Sequence, residues 1–133
     1  MNKANLINVV LIDDNLADNY IHRRVVEKSG VGRVLSDFTM AEEALDWLRC
    51  QTETVHVIFL DINMPAMDGF GFLEQYQSLN EANQAECVVI FLTSSLNERD
   101  KTRAEEFGVD YQYKPLTSER FLEFLRQKGL LEG

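Results

Sequence analysis

The sequence predicts an α/β fold: a doubly wound, five-stranded parallel sheet with helices on both faces. Three observations predict it. Short, nearly continuous apolar runs, Leu6 to Ile12, Val55 to Leu60 and Val88 to Leu92, suit strands buried on both faces. Segments of helical period separate them, so strands and helices alternate along the chain. The loops between them are short enough for crossover helices joining parallel strands. With 133 residues, 45% of them apolar, the chain is large enough for one domain with its own core.

The first strand is Leu6 to Ile12. A helix is expected from about Asn15 to Ser29, with Ala17, Ile21 and Val25 along one face and Gly30 at its C′ position. His22 lies just off that stripe and reads as an exposed helical histidine. Val34 to Phe38 is a weaker strand suited to a sheet edge. Thr39 and Glu42 have capping-box spacing, and Ala41, Ala44, Leu45 and Leu48 make an amphipathic helix with Trp47 half-exposed beside it. Val55 to Leu60 is the third strand; its His56 has no second His or Cys to complete a transition-metal site and reads as packed or hydrogen-bonded. Asp68 is an N-cap for a helix from about Gly69 to Leu79 whose core face is Phe70, Leu73 and Tyr76. Asn80 to Glu86 is a polar loop. After the Val88 to Leu92 strand, Ser95 and Glu98 form a second capping box. The helix they open is unusual, because Ala104 is its only apolar residue between Leu96 and Phe107. Val109, Tyr111 and Tyr113 alternate with polar residues, as in a half-exposed edge strand. Leu116 and Phe121 flank the cap Thr117 at staple spacing; Phe121, Leu122 and Leu125 anchor the last helix, and Gly129 ends it.

The formal net charge of −9 disfavours direct nucleic-acid binding, because phosphates would be repelled. No window approaches 18 apolar residues, so no membrane span is expected. The first residues lack an apolar signal region, which points to a cytoplasmic protein. Cys50 and Cys87 fit no metal spacing and read as two reduced thiols. No linker or repeat divides the chain, and it ends just beyond the fifth helix. The expectation is therefore a single domain over residues 1–133 with no output domain.

Functional chemistry gathers where the strands end. The first strand ends on Asp13-Asp14, the third on Asp61, the fourth on Thr93-Ser94 and the fifth on Lys114-Pro115. If the strands are parallel, these ends converge on one rim. Pro65 stops the third strand from continuing, so Asp61 is delivered to the mouth of the sheet. An Asp at a strand end is by itself an ordinary loop carboxylate. Three carboxylates, a hydroxyl and an ammonium in this order are not ordinary. Asp13, Asp14 and Asp61 would repel one another, and a hard divalent cation resolves that conflict.

Asp13, Asp14, Asp61, Thr93, Tyr111 and Lys114, with the Asp61-Ile62-Asn63-Met64-Pro65-Ala66-Met67-Asp68-Gly69 segment, resemble a response regulator receiver domain of two-component systems, of the single-domain, chemotaxis-receiver-like kind. The resemblance covers essentially the whole chain. It implies a flavodoxin-like strand order, 2-1-3-4-5, and an aspartyl phosphate formed on Asp61. It implies Mg²⁺, with Mn²⁺ as a substitute, held by Asp14 and Asp61 directly, by Asp13 through water and by the Asn63 carbonyl. It further implies that Lys114 and Thr93 pair with phosphoryl oxygens, and that Thr93 and Tyr111 form a switch. The Lys114-Pro115 bond is often cis in such domains. The implied partners are a histidine kinase or phosphotransfer protein as donor and a downstream protein target. The helix from Asn97 to Phe107, the Tyr111 strand and the Thr117 helix are the expected target surface. A haloacid-dehalogenase-type phosphatase is the enzyme alternative, but it needs an acid where this chain has Asn63. A degenerate receiver that binds partners without phosphate is a third reading, against which the complete residue set argues.

Overall fold

A computed structural model of the protein describes residues 6–79 and 87–131. Its elements run β1 (Ile7–Ile12), α1 (Leu16–Lys28), β2 (Gly32–Phe38), α2 (Ala41–Cys50), β3 (Val57–Leu60), α3 (Gly69–Gln77), β4 (Val88–Thr93), α4 (Glu98–Phe107), β5 (Asp110–Tyr113) and α5 (Ser118–Gln127). The strands form one parallel sheet in the order β2-β1-β3-β4-β5, as expected. The polar loop expected from Asn80 to Glu86 lies outside the described residues.

Successive strand residues feed two separate cores. Val9 and Leu11 join Val57, Phe59, Ile90 and Leu92 under α1 and α5, where Val26, Phe121, Phe124 and Leu125 close the layer. Val10 and Ile12 face the other way, with Ile58, Leu60 and Phe91, under Ala44 and Leu45 of α2, Phe70 and Leu73 of α3, and Ala104 of α4. Burial on both faces explains why β1 and β3 carry no polar alternation. At the opposite end from the strand-end acids, Asn8 ties three segments together. Its backbone N–H donates to His56 Nδ1 at 2.9 Å, its Nδ2 to the Thr54 carbonyl at 2.7 Å, and its Oδ1 accepts from Arg33 Nε at 2.7 Å. His56 is thus a hydrogen-bonded histidine, as the sequence suggested.

The two remaining helices contrast sharply in anchoring. Phe121 and Phe124 are buried to 0 and 2% exposure, and burying each such ring contributes about 1.5–3 kcal/mol. In α4 only Ala104 is buried. Its aromatic-facing contacts include the Arg103 guanidinium, 4.0 Å over the Phe70 ring, and Phe107, whose ring lies 5.8 Å from Phe70.

Four local expectations are corrected. The buried face of α1 is Asn19, His22 and Val26, while Ala17 and Ile21 are exposed and Val25 is half-buried. Polar Asn19 and His22 are buried with backbone partners for Asn19 Nδ2 and His22 Nε2, described below, while Asn19 Oδ1 has none among the described residues. The N-cap of α2 is Met40 and not Thr39, with no side-chain cap bond. The N-cap of α4 is Asn97 and not Ser95; Asn97 Oδ1 accepts from the Asp100 N–H at 2.7 Å, while the Ser95 carbonyl is taken by Thr93 Oγ1. In α5 the third anchor is Phe124, with Leu122 only half-buried. The other expected caps agree: Asp68 and Thr117 each accept a first-turn N–H, and Gly30 at φ 78° and Gly129 at φ 73° follow the ends of α1 and α5; Asn15 caps α1. Trp47 is half-buried with its ring 5.6 Å from Phe38.

Candidate functional site

Parallel pairing brings the carboxyl ends of β1, β3, β4 and β5 to one rim. Asp13 follows β1 and is 5% exposed; Asp14 beside it is exposed. Asp61 follows β3 and is 7% exposed. Backbone bonds hold both acids: the Asp13 N–H donates to the Phe38 carbonyl and the Asp61 N–H to the Ile12 carbonyl, each at 2.9 Å. One carboxylate oxygen from each of Asp13, Asp14 and Asp61 lies within 4.8 Å of the others.

Lys114 reaches into this cluster from the end of β5, where its N–H donates to the Thr93 carbonyl at 2.8 Å. Its Nζ is 2.6 Å from Asp13 Oδ2, 2.8 Å from Asp18 Oδ2 and 3.6 Å from Asp61 Oδ2. The Lys114-Pro115 peptide bond is cis. Burial works against the ammonium, but the hydrogen bonds it donates to Asp13 and Asp18 outweigh it and hold its pKa above the ordinary lysine value. The Asp61 pKa is also raised, up to about 6, which disfavours its charged form. Burial is the main cause; Lys114 opposes it, Asp13 and Asp14 add to it, and a bond from the Asn63 backbone N–H opposes it. Asn63 itself is exposed.

Thr93 is fully buried, and its hydroxyl donates to the Ser95 carbonyl at 3.1 Å. Tyr111 stands two residues before Tyr113, which pairs with Thr93 across β4 and β5. It is half-buried, packs against the α2–α4 core and meets the Tyr113 ring at 6.0 Å. The structure therefore gathers Asp13, Asp14, Asp61 and Lys114 into one charged cluster, with Thr93 on the adjacent strand end. Tyr111 lies behind Thr93 and outside the ion-pair network.

Three residues of α1 belong to this rim and were missed or misread in the sequence. Asp18 is the second short partner of Lys114. Asn19 Nδ2 donates to the Asp13 carbonyl at 2.9 Å and to the Phe38 carbonyl at 3.2 Å. His22, 3% exposed, accepts the Leu116 N–H on Nε2 at 3.3 Å, so it braces the loop that carries Lys114. Burial lowers the His22 pKa although Asp18 and Asp13 pull it up. A neutral imidazole is what an accepting Nε2 requires. A void of about 10 Å³ beneath the cluster is lined by Asp13, Asn19, His22 and Asp61 together with apolar strand residues. One signal for Asp18 was available: it sits in the first turn after the Asn15 cap, where a helix beginning at the rim must point back at it.

The loop after Asp61 is tightly built. Ala66 has φ 67°, and the Met67 N–H donates to the Pro65 carbonyl at 2.8 Å, a three-residue turn that strains a residue with a Cβ. The Gly69 N–H then donates to the Ile62 carbonyl at 2.8 Å. A Cβ on Gly69 would lie 2.8 Å from the Asp61 carbonyl oxygen and 2.8 Å from the Phe91 ring. Glycine at this position lets α3 start directly against the Asp61 backbone.

The described residues thus form a five-stranded parallel α/β domain with a buried Asp, two flanking acids and a lysine on its carboxyl rim. Comparison with known proteins gives the family. The chain matches the response regulator receiver domain over residues 9–126, and it belongs to that family. It is 27% identical over 122 residues to a probable chemotaxis protein CheY of Rhizobium etli, covering 90% of each chain. It is 29% identical over 126 residues to the sensor histidine kinase CheAY of Helicobacter pylori, covering 94% of this chain but 15% of that protein. A cyclic di-GMP phosphodiesterase response regulator, RpfG of Xanthomonas campestris, is 31% identical over 116 residues, 86% of this chain and 30% of its own length. Among solved structures, a response regulator receiver protein from Dyadobacter fermentans superposes with a TM-score of 0.81 at 29% identity, covering 92% of this chain and 98% of that one. Among the described residues no helix is long and apolar enough to cross a membrane.

Proposed function

We propose that the protein is a phosphorylation-dependent signalling switch whose Asp61 accepts a phosphoryl group. The observation that carries this reading is the arrangement around Asp61: a buried carboxylate with two further acids within 4.8 Å and the Lys114 ammonium 3.6 Å away. The donor set fits a hard divalent ion, because three carboxylates offer oxygens within one coordination sphere and among the described residues no His or Cys competes there. Asp13, Asp14 and Asp61, with the Asn63 carbonyl, would hold Mg²⁺ or Mn²⁺, which when bound neutralises charge on a phosphoryl oxygen.

The chain's own residues do the rest. Asp61 attacks phosphorus, forming an oxygen–phosphorus bond as the nitrogen–phosphorus bond of a phosphohistidine donor breaks. Lys114 and the Thr93 hydroxyl neutralise equatorial oxygens, which is where a metaphosphate-like transition state carries its charge. The same site hydrolyses its acyl phosphate with water in line. Asn63 and Ser95 flank that approach and would tune its rate. The donor is a histidine kinase or phosphotransfer protein. Phosphorylation draws Thr93 away from the Ser95 carbonyl, and Tyr111 moves into the space behind it. The surface that changes comprises α4 with its cap (Asn97 to Phe107), Tyr111 and the start of α5 at Thr117, and a downstream protein reads it in the cytoplasm.

Incubation with acetyl phosphate, with and without Mg²⁺, tests the reading by intact-mass and tandem mass spectrometry. One phosphoryl group on Asp61, dependent on the metal, is expected. Label that persists undiminished in Asp61→Asn refutes the assignment.

A further inference from the structure

An ammonium has three N–H bonds to give, and Lys114 faces three carboxylates. The two short contacts go to Asp13, at 2.6 Å, and Asp18, at 2.8 Å. Asp61, the residue that needs this lysine when it carries a phosphoryl group, is the most distant, at 3.6 Å. Asp13 also belongs to the cluster with metal-ligating geometry. Asp18 does not; its carboxylate bonds the Lys114 ammonium. Its position is fixed: it lies in the first turn of α1, where its backbone N–H is capped by Asn15 Oδ1 at 3.1 Å and the helix dipole favours a carboxylate. At 28% side-chain exposure it is partly shielded, and Lys114 at 11% is more so.

We propose that Asp18 is a positioning residue that parks Lys114 away from Asp61, and that a phosphoryl group on Asp61 must win the lysine from it. Asp18 thereby sets how tightly the site holds a phosphoryl group. This rests on the phosphoacceptor reading given above. The exchange is one of hydrogen bonds only: a Lys114 N–H leaves Asp18 Oδ2 and turns to a phosphoryl oxygen, with no covalent bond broken. Since hydrogen bonds to charged groups are stronger than neutral ones, releasing the lysine should tighten phosphoryl binding by about tenfold.

The test compares wild type with Asp18→Asn, a near-isosteric change that keeps the side chain in place. Beryllofluoride with Mg²⁺ is the probe, and calorimetry gives its affinity at low and at high salt. The expected result is an affinity about tenfold higher in Asp18→Asn and a ratio that survives high salt, because a short, shielded contact is screened little. In the protein without metal or beryllofluoride, the Lys114 ammonium signal in ¹⁵N-resolved NMR should shift and exchange faster with water in the variant. An affinity unchanged or weakened in Asp18→Asn overturns the proposal. So does a gain that collapses at high salt, which would mark a general charge effect, or an unmoved Lys114 signal. Wild type that fails to bind beryllofluoride at all overturns the phosphoacceptor reading and this inference with it.

Discussion

Two glycines at the start of α3, two residues apart, should respond to alanine with opposite signs. Gly69 packs on fixed structure: an added Cβ would meet the Asp61 carbonyl oxygen at 2.8 Å, the Phe91 ring at 2.8 Å and Ile62 Cα at 3.0 Å. Two of these neighbours are backbone atoms, and the third is a ring that is 0% exposed and wedged against Phe70 at 5.0 Å. None can yield without moving the loop that carries Asp61. Gly71 meets only the Met67 Cγ at 3.0 Å and Asp68 Oδ1 at 3.5 Å, and a methionine side chain can turn aside. Both substitutions gain the preference for Ala over Gly in a helix, up to about 1 kcal/mol. Overpacking at Gly69 costs about 1–3 kcal/mol against that gain. Gly69→Ala should therefore lose roughly 1–2 kcal/mol, and Gly71→Ala should be neutral or gain about 0.5 kcal/mol. Urea denaturation followed by circular dichroism measures both, with the midpoint moving at constant slope. Gly69→Ala should also weaken beryllofluoride binding, because relief of the clash displaces Asp61; Gly71→Ala should not. A Gly69→Ala protein as stable as wild type, with unchanged beryllofluoride affinity, would refute the close-approach argument.

Two further predictions concern the charged site and the helix beside it. Asp61 has its pKa raised from 3.8 to about 6 in the fold, so its ionisation opposes folding: stability without metal should fall as pH rises between those values, and the full penalty is present above pH 6. Asp61→Asn should accordingly be more stable than wild type at pH 7 by about 2–3 kcal/mol, with little difference near pH 4; thermal melts with chelator at the two pH values check this, and equal differences at both would contradict it. In α4, where Ala104 is the sole buried residue, backbone amides should exchange faster than those of α5, and beryllofluoride should change their protection. Slow exchange there, indifferent to beryllofluoride, would move the switch to another face.

What could be read from the sequence was whatever depends on neighbours in the chain. The strand ends that present Asp13, Asp61, Thr93 and Lys114 follow from apolar runs that stop at polar residues, and parallel pairing follows from the alternation of elements. What depends on distant partners could not be read. Counting hydrophobic residues on α1 selects Ala17, Ile21 and Val25. The fold buries Asn19 and His22 where the Phe38 carbonyl, 19 residues from Asn19, accepts from Asn19 Nδ2 and the Leu116 N–H, 94 residues from His22, donates to His22 Nε2. The bond from Lys114 to Asp18 spans 96 residues. Caps failed for a related reason. Thr39 and Ser95 are chemically able to cap, but β2 runs on to Phe38 and the Ser95 carbonyl serves Thr93, so each helix starts later than the local signal suggests.

The misread face of α1 also explains how the rim keeps its charge arrangement. In the sheet, β3 and β4 stand between β1 and β5, yet Asp13 and Lys114 meet at 2.6 Å across them. Helix α1 spans the same gap from above: Asn19 holds the Asp13 end, Asp18 holds the Lys114 ammonium, and His22 holds the backbone two residues beyond it. That third bond requires a neutral imidazole, since a protonated ring would set a donor against the Leu116 N–H. Asp18 and Asp13 favour protonation, but burial outweighs them and lowers the His22 pKa. Had the acids won, a second cation would lie beneath the cluster and draw on the carboxylates that Lys114 now shares. Burying His22 against a backbone donor leaves Lys114 as the cation bridging Asp13, Asp18 and Asp61. The negative charge left over on Asp13, Asp14 and Asp61 is what a divalent ion would meet.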